Sequence, residues 1–346
     1  MKRRTLQVAV LTFLLTTRVS TAFSQTVSEL KDFLSQRIGL SRDKIAAIQH
    51  GKPFATNVKA RSEAEVFLFG VVYVNAAPDS FLKYEKDLGH AGHLPGQTGV
   101  IKFSDPPQLS DLQGFGFDND DVKLLKDCKP GDCKIQIPAS TAMDDLRKSV
   151  HWGAPNADQE VNQLVQKLAL ARLLEYQKEG NRIFGLVYNL KGQQVSVNDL
   201  FKNMLSYYQV FPRDLPELNK YILDYPNAKP ANVENTFYWE RLKLGPRPML
   251  RIMHVLTMHG DKTNHSADVI AERQLYSSHY LETALDLTFI IPNSEDRKQP
   301  GFYLVKAMSC EQVWLTGLKR TIGVSRSVSD LQKSLASAKE SLEHQK

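Results

Sequence analysis

The sequence predicts an α+β protein: a curved antiparallel sheet with a long C-terminal helix packed on it, plus additional N-terminal and middle helices. Three observations predict it. Between Phe237 and Met308, five segments rich in β-formers succeed one another: Phe237 to Leu244, Pro248 to Met258, Asp268 to Tyr280, Ala284 to Ile291 and Phe302 to Met308. Their turn-like links, Gly245-Pro246, Gly260-Asp261, Pro292-Asn293 and Pro300-Gly301, are short enough for an antiparallel meander. From Ser325 to about Glu343, Val328, Leu331, Leu335, Ala338 and Leu342 form a narrow apolar stripe on an otherwise polar helix. Such a stripe has to lie on something, and the sheet is the nearest candidate. Between them and the N-terminus, residues 158–179 and 196–226 carry apolar and aromatic residues at helical spacing.

The earlier elements follow in order. Residues 26–52 read as two short helices, the second capped by Ser41 and ended by Gly51. Glu65 to Asn75 is a strand dense in Val, Phe and Tyr, and Ala76-Ala77-Pro78-Asp79 turns from it into a helix near Ser80 to Leu88. Gly89 to Gly99 is a loop with His90 and His93, and Thr98 to Ser104 is a strand. Asp118 to Lys126 is a short helix whose leading Asp118, Asp120 and Asp121 are explained by capping and the helix dipole. A calcium loop counted from Asp118 needs Gly at its sixth position and Glu at its twelfth, where Lys123 and Lys129 stand. In Asp158 to Glu179, Val161, Leu164, Val165 and Leu168 mark one face, Gly180 is a natural stop, and a strand is expected at Arg182 to Asn189.

The chain divides into residues 1–24, a helical segment at 25–60, and an α+β domain at 61–346 with a helical middle at about 105–232. Residues 1–24 follow the order of a signal peptide: basic Lys2, Arg3 and Arg4, an uncharged stretch from Leu6 to Thr17, and small Ala22 and Ser24 before Gln25. The uncharged stretch is shorter than the ~20 residues of a spanning helix, and no later segment reaches that length. The expectation is an exported, non-membrane-spanning protein of the periplasm or extracellular space. Four of the 44 basic residues and none of the 38 acidic ones fall in residues 1–24, so the remainder is near neutral. With no dense basic stripe, nucleic acid is not an expected partner.

Three cysteines are present, Cys128, Cys133 and Cys310. Pro130-Gly131 between the first two favours a type II turn that can bring their thiols into bridging range, so an oxidising compartment predicts a Cys128–Cys133 disulfide. Cys310 is expected as a buried free thiol.

A curved antiparallel sheet with a long helix laid across it is the plan of the START-like, or helix-grip, proteins. The chain resembles them from Phe237-Tyr238-Trp239 through Ser278-His279-Tyr280, in Trp314-Leu315-Thr316-Gly317-Leu318-Lys319-Arg320 leading into the last helix, and in the strand and helix of 65–88. It is also similar to exported bacterial proteins of unknown function that pair a Cys-Lys-Pro-Gly-Asp-Cys segment with a Ser-His-Tyr strand. The first resemblance implies a non-catalytic carrier or sensor of an apolar or lipid-like small molecule.

The expected cavity is lined by Leu250, Ile252, His254, Leu256 and Met258, which share one strand face, with Tyr238 and His279 as further polar contacts; Arg251 and Thr257 lie on the other face. The alternatives are an enzyme, hydrolase-like, built around His254, His279, Tyr238 or Tyr276, and an envelope protein–protein interaction module. Ser278 and His279 are strand neighbours that face opposite sides, and no nucleophile elbow surrounds Ser277. His259 and His265 with Asp261 and Asp268 could meet on one hairpin, but loop polarity alone explains them. No Gly-x-Ser-x-Gly, Walker loop, His-Glu-x-x-His or dinucleotide fingerprint occurs, and neither cofactor nor metal is expected.

Overall fold

A computed structural model describes residues 26–86, 96–129, 132–137, 142–189, 191–208, 215–243, 247–294, 300–312 and 316–344; the side chains of 142–145, Tyr207 and Tyr208 are also left aside. The expected signal peptide, the loop of His90 and His93, the Pro130-Gly131 turn, Gly245-Pro246 and Trp314-Leu315 lie outside the described residues.

The fold is α+β, built on one open, wholly antiparallel sheet of eight strands. Its centre is the expected meander: β6 (Val233–Leu242), β7 (Met249–Met258), β8 (Asp268–Ser277), β9 (Thr283–Pro292) and β10 (Phe302–Glu311). Two earlier segments extend it. Beyond β10 lie β2 (Glu65–Val74) and then β1 (Phe54–Val58); beyond β6 lies β3 (Gln97–Lys102). Every residue of β2 is buried, since the strand pairs on both sides and is covered on both faces. β1 stands where the sequence offered only the end of a helical segment. The 182–189 segment is also shorter than expected. It begins as a 3₁₀ turn, and only β4 (Leu186–Tyr188) is strand, in a small ribbon with β5 (Gln194–Ser196).

The helices divide between the two faces. α1 (Val27–Gln36), α2 (Arg42–Gln49), α4 (Asn119–Asp127), α5 (Ala142–Ser149), α6 (Ala157–Glu179), α7 (Val197–Tyr208) and α8 (Pro216–Asp224) bring apolar residues to one face. There Val161, Val165, Ala169 and Leu173 of α6 join Phe237, Leu250, Ile252, Leu256, Val269 and Leu287 of the strands in one continuous core. Asp118 caps α4 through its bond to the Asp121 amide, 2.9 Å, as its position predicts. Gly180 ends α6 at φ 60°, where a Cβ would stand 1.6 Å from the Tyr225 carbonyl oxygen.

α3 (Pro78–Lys86) and α9 (Gly317–His344) lie on the opposite face. α9 begins eight residues before the expected Ser325 and lies along β2 and β1, not across the meander. The reason is the chemistry of the two halves of that face. β2 offers Val66, Leu68, Val72 and Val74 to Leu331, Leu335, Ala338 and Leu342, and Gly70 makes room for the Leu331 and Leu335 methyls. The same face of β6–β9 interrupts its apolar residues with Glu240, Arg251, Glu272 and Asp286, so it offers no continuous apolar track for such a seam.

Cys128 and Cys133 are joined, their Cα atoms 4.8 Å apart, while Cys310 is a half-buried free thiol that burial pushes up to about 12. Among the described residues no helix is long and apolar enough to cross a membrane.

Candidate functional site

Strand alternation puts a charged residue of every meander strand on the face that α9 leaves uncovered: Glu240 on β6 (with Glu234 nearer its start), Arg251 on β7, Glu272 on β8, Asp286 on β9 and Lys306 on β10. They line a groove of about 230 Å³ whose sides are completed by α3 and β3. Its apolar wall includes Leu82, Val100, Met253, Val255 and Ile270. The volume lies below the ~300–1,000 Å³ usual for drug-sized ligands, so the groove suits a small molecule.

The charges are unevenly paired. Arg251 and Glu240 are cross-strand partners, and Nη1 of Arg251 stands 3.2 Å from Oε1 of Glu240 as an ion pair. Oε2 of Glu240 accepts from Gln97, 2.7 Å. Yet Nε and Nη2 of Arg251 have no partner, and Oε1 of Glu240 accepts no hydrogen bond, among the described residues, although Arg251 is 5% exposed and Glu240 fully buried. Lys306 lies 3.8 Å from Glu85 of α3. Glu272 accepts a 2.8 Å bond from the Tyr238 hydroxyl. Asp286, its direct cross-strand partner, has no hydrogen bond or ion pair within reach among the described residues.

Desolvation is the largest influence on Asp286, Glu240, Glu85 and Tyr238. It pushes Asp286 up to about 7, with Arg251 pulling back and Glu272 adding to the rise. It also raises Glu240 and Glu85, against the opposing pull of Arg251 and Lys306 respectively. Tyr238 is pushed well above the tyrosine range by burial, with Glu272 and Glu240 adding to it.

Of the residues expected to line a cavity, Tyr238 alone reaches this groove. Leu250, Ile252 and Leu256 are packed under the helices, and Met258 lies against the same core. His254 is 1% exposed on that face. Tyr176 OH lies 3.0 Å from its Nδ1, and its Nε2 lies 2.9 Å from the Asn235 side-chain oxygen. The oxygen can only accept, so Nε2 carries the proton and Nδ1 accepts from Tyr176. Burial, with Arg273 nearby, holds His254 well below the usual histidine range. Nearby, the buried Arg273 guanidinium is 3.7 Å from the Phe201 ring centre and bonds Asn181.

His279 is not brought near His254's site. It lies past the end of β8, 2.9 Å from Asp121 Oδ2 and 3.1 Å from the Lys134 carbonyl, while Arg247 holds the other Asp121 oxygen at 2.5 Å. Ser277 donates to the His279 carbonyl, and Ser278 accepts from the Leu250 amide, so neither hydroxyl faces the imidazole. Tyr276 donates to the Gln136 carbonyl under the helices. At the 259–268 hairpin, Lys262 already holds Asp268 and Asp79 at 3.0 and 2.8 Å, and His259 is 3.2 Å from Glu234. Among the described residues, no three His, Cys, Asp or Glu side chains are gathered as a metal would need.

Sequence reasoning missed Glu240, Arg251, Glu272, Asp286 and Lys306. The signal was present: five successive strands each hold a charge at an alternate position of a β pattern, where a solvent-facing surface needs no such regularity. No family model matches the chain, and no curated protein is significantly similar to it.

Proposed function

We propose that this protein binds a small amphipathic molecule in the groove between β3, β6–β10 and α3, without catalysis. One observation carries the reading: the nine-tenths-buried Arg251 lines the groove with Nε and Nη2 unpaired among the described residues, beside Glu240, whose Oε1 also lacks a hydrogen bond. Unmade bonds on buried polar groups cost about 1–3 kcal/mol each, more for charged ones, and a ligand that makes them recovers that cost. The expected ligand of the START-like resemblance was apolar. The charged floor supports instead a molecule with an apolar part over Met253, Val255 and Ile270 and a polar part over the charges. Export through residues 1–24 belongs to the same proposal, and the Cys128–Cys133 pairing is compatible with it.

The test is a thermal-shift screen of small amphipathic compounds on the wild type and on Val255→Trp, which puts an indole into the groove. Compounds that raise the midpoint of the wild type and lose that effect in the variant support the proposal. Hits indifferent to Val255→Trp count against it.

A second reading, acid–base catalysis on the bound molecule, is favoured by Asp286 titrating at about 7 beside Glu272 and the Tyr238 hydroxyl. Turnover of any bound compound that Asp286→Asn abolishes even when the variant is saturated with that compound would establish it.

A further inference from the structure

We propose that the groove selects an amine that also carries a hydrogen-bond acceptor: its ammonium seated between Glu272 and Asp286, its acceptor on Nε and Nη2 of Arg251. This names the ligand class for the binding reading above and rests on it.

Five carboxylates line the groove, Glu85, Glu234, Glu240, Glu272 and Asp286, and three of them have a cation as ion-pair partner: Glu240 has Arg251, Glu85 has Lys306 and Glu234 has Lys86. Lys86, Lys102 and Glu234 belong to the rim, and Lys86 is held by Glu234 at 3.0 Å. The pair left over is Glu272 and Asp286. They are direct cross-strand partners on one face, an arrangement that is destabilising when both are charged. Their neighbours are the Tyr238 hydroxyl on Glu272, and Val255 and Met308 as the flanking cross-strand residues. Nothing positive bonds either carboxylate among the described residues.

A cation placed between them relieves the repulsion that the fold leaves in place. An ammonium suits better than a metal ion, since no third ligating side chain joins them. A cation alone would leave Arg251 as it is. The unpaired Nε and Nη2 are parallel donors of a guanidinium edge, which match a carbonyl, amide or carboxylate oxygen. The apolar residues Met253, Val255 and Ile270 lie on the strands between and beside these two anchors, so the body of the ligand is apolar. An α-amino amide has all three parts within a small molecule.

Titration supports the geometry. The charged groups facing Asp286 are Glu240 of β6, Arg251 of β7, Glu272 of β8, Lys306 of β10 and, across from Lys306, Glu85 of α3. With Asp286 at about 7, a bound ammonium drives it to ionise, and the protein releases a proton near neutral pH.

The experiment is isothermal titration calorimetry of the mature protein at pH 7 with four probes of similar bulk: phenylalaninamide, phenethylamine, 3-phenylpropionamide and 3-phenylpropionate. Phenylalaninamide is expected to bind most tightly, with proton release seen as a dependence of the heat on buffer ionisation. Removing the amine should weaken binding at least tenfold, and removing the amide several-fold. Asp286→Asn should erase the proton release and weaken phenylalaninamide about tenfold. Arg251→Met should make phenylalaninamide and phenethylamine equal, and Arg251→Lys, which keeps a buried cation beside Glu240, serves if the methionine variant does not fold. Binding of 3-phenylpropionate or 3-phenylpropionamide in preference to both amines overturns the amine class and leaves the groove reading standing. Absence of binding by all four, together with failure of the wider compound screen, overturns both.

Discussion

Asp286 on β9 and Glu272 on β8 are opposite one another in the sheet, and the Tyr238 hydroxyl bonds Glu272 while Asp286 has no hydrogen bond or ion pair among the described residues. The sheet thus places two acidic side chains directly opposite one another, as it also does with Glu65 and Glu311, but the latter pair has Arg61 within ion-pair distance of both. Such an arrangement costs stability in the free protein, and the cost has a pH signature.

Asp286 titrates at about 7 in the fold and near 3.8 in the unfolded chain. Between those values the folded state holds the extra proton. Stability from this group is therefore full below about pH 4 and falls as pH rises towards 7, by at most about 4 kcal/mol. Asp286→Asn is expected to raise the urea midpoint at pH 8 and leave it unchanged at pH 4. A variant less stable than the wild type at pH 8 would show that the carboxylate is held by partners.

Gly180 carries a different constraint. Its φ of 60° and the 1.6 Å that a Cβ would leave to the Tyr225 oxygen exclude any side chain without backbone movement. Gly180→Ala is expected to cost about 3 kcal/mol or more, a strained conformation and overpacking together. Gly39, whose φ is also positive but whose Cβ would meet nothing, should cost only about 1 kcal/mol as alanine. Equal costs in denaturation would contradict the packing.

The Tyr176–His254–Asn235 chain predicts a fold-stabilising role. Tyr176→Phe leaves the buried His254 Nδ1 without its donor and is expected to cost about 1–3 kcal/mol by chemical denaturation. His254 is neutral in the fold while the unfolded histidine binds a proton below about pH 6.5. Its contribution is present above that pH and is lost as pH falls below it, so His254→Gln should flatten the acid side of the stability profile.

Thiol titration of the denatured, unreduced protein should find one free group, Cys310; three would exclude the Cys128–Cys133 bridge. Reduction is expected to cost about 2 kcal/mol, the chain-entropy value for so short a loop.

The meander was legible because each of its strands is long, β-branched and bounded by turn residues, and the helices because Ser41 and Asp118 cap them and Gly180 stops α6. What the sequence hid was pairing across distance: that β2 joins β10, that β3 joins β6, and that α9 follows β2. Those choices depend on which face is apolar at each strand, not on local pattern. The site followed the same rule. On β7, Leu250, Ile252 and Leu256 look like a cavity wall, but seven helices of apolar stripe also need a face, and they take it. The charges at alternate positions then mark the face left over, and only cross-strand register brings Glu272 to Asp286.

The central claim, that ligand binds on the charged face, is tested most directly by amide NMR of the deuterated protein titrated with phenylalaninamide. Shift changes are expected to concentrate at Tyr238, Arg251, Val255, Glu272 and Asp286. Changes centred on Leu250, His254 and Leu256, on the helix-covered side of the same strands, would contradict the account.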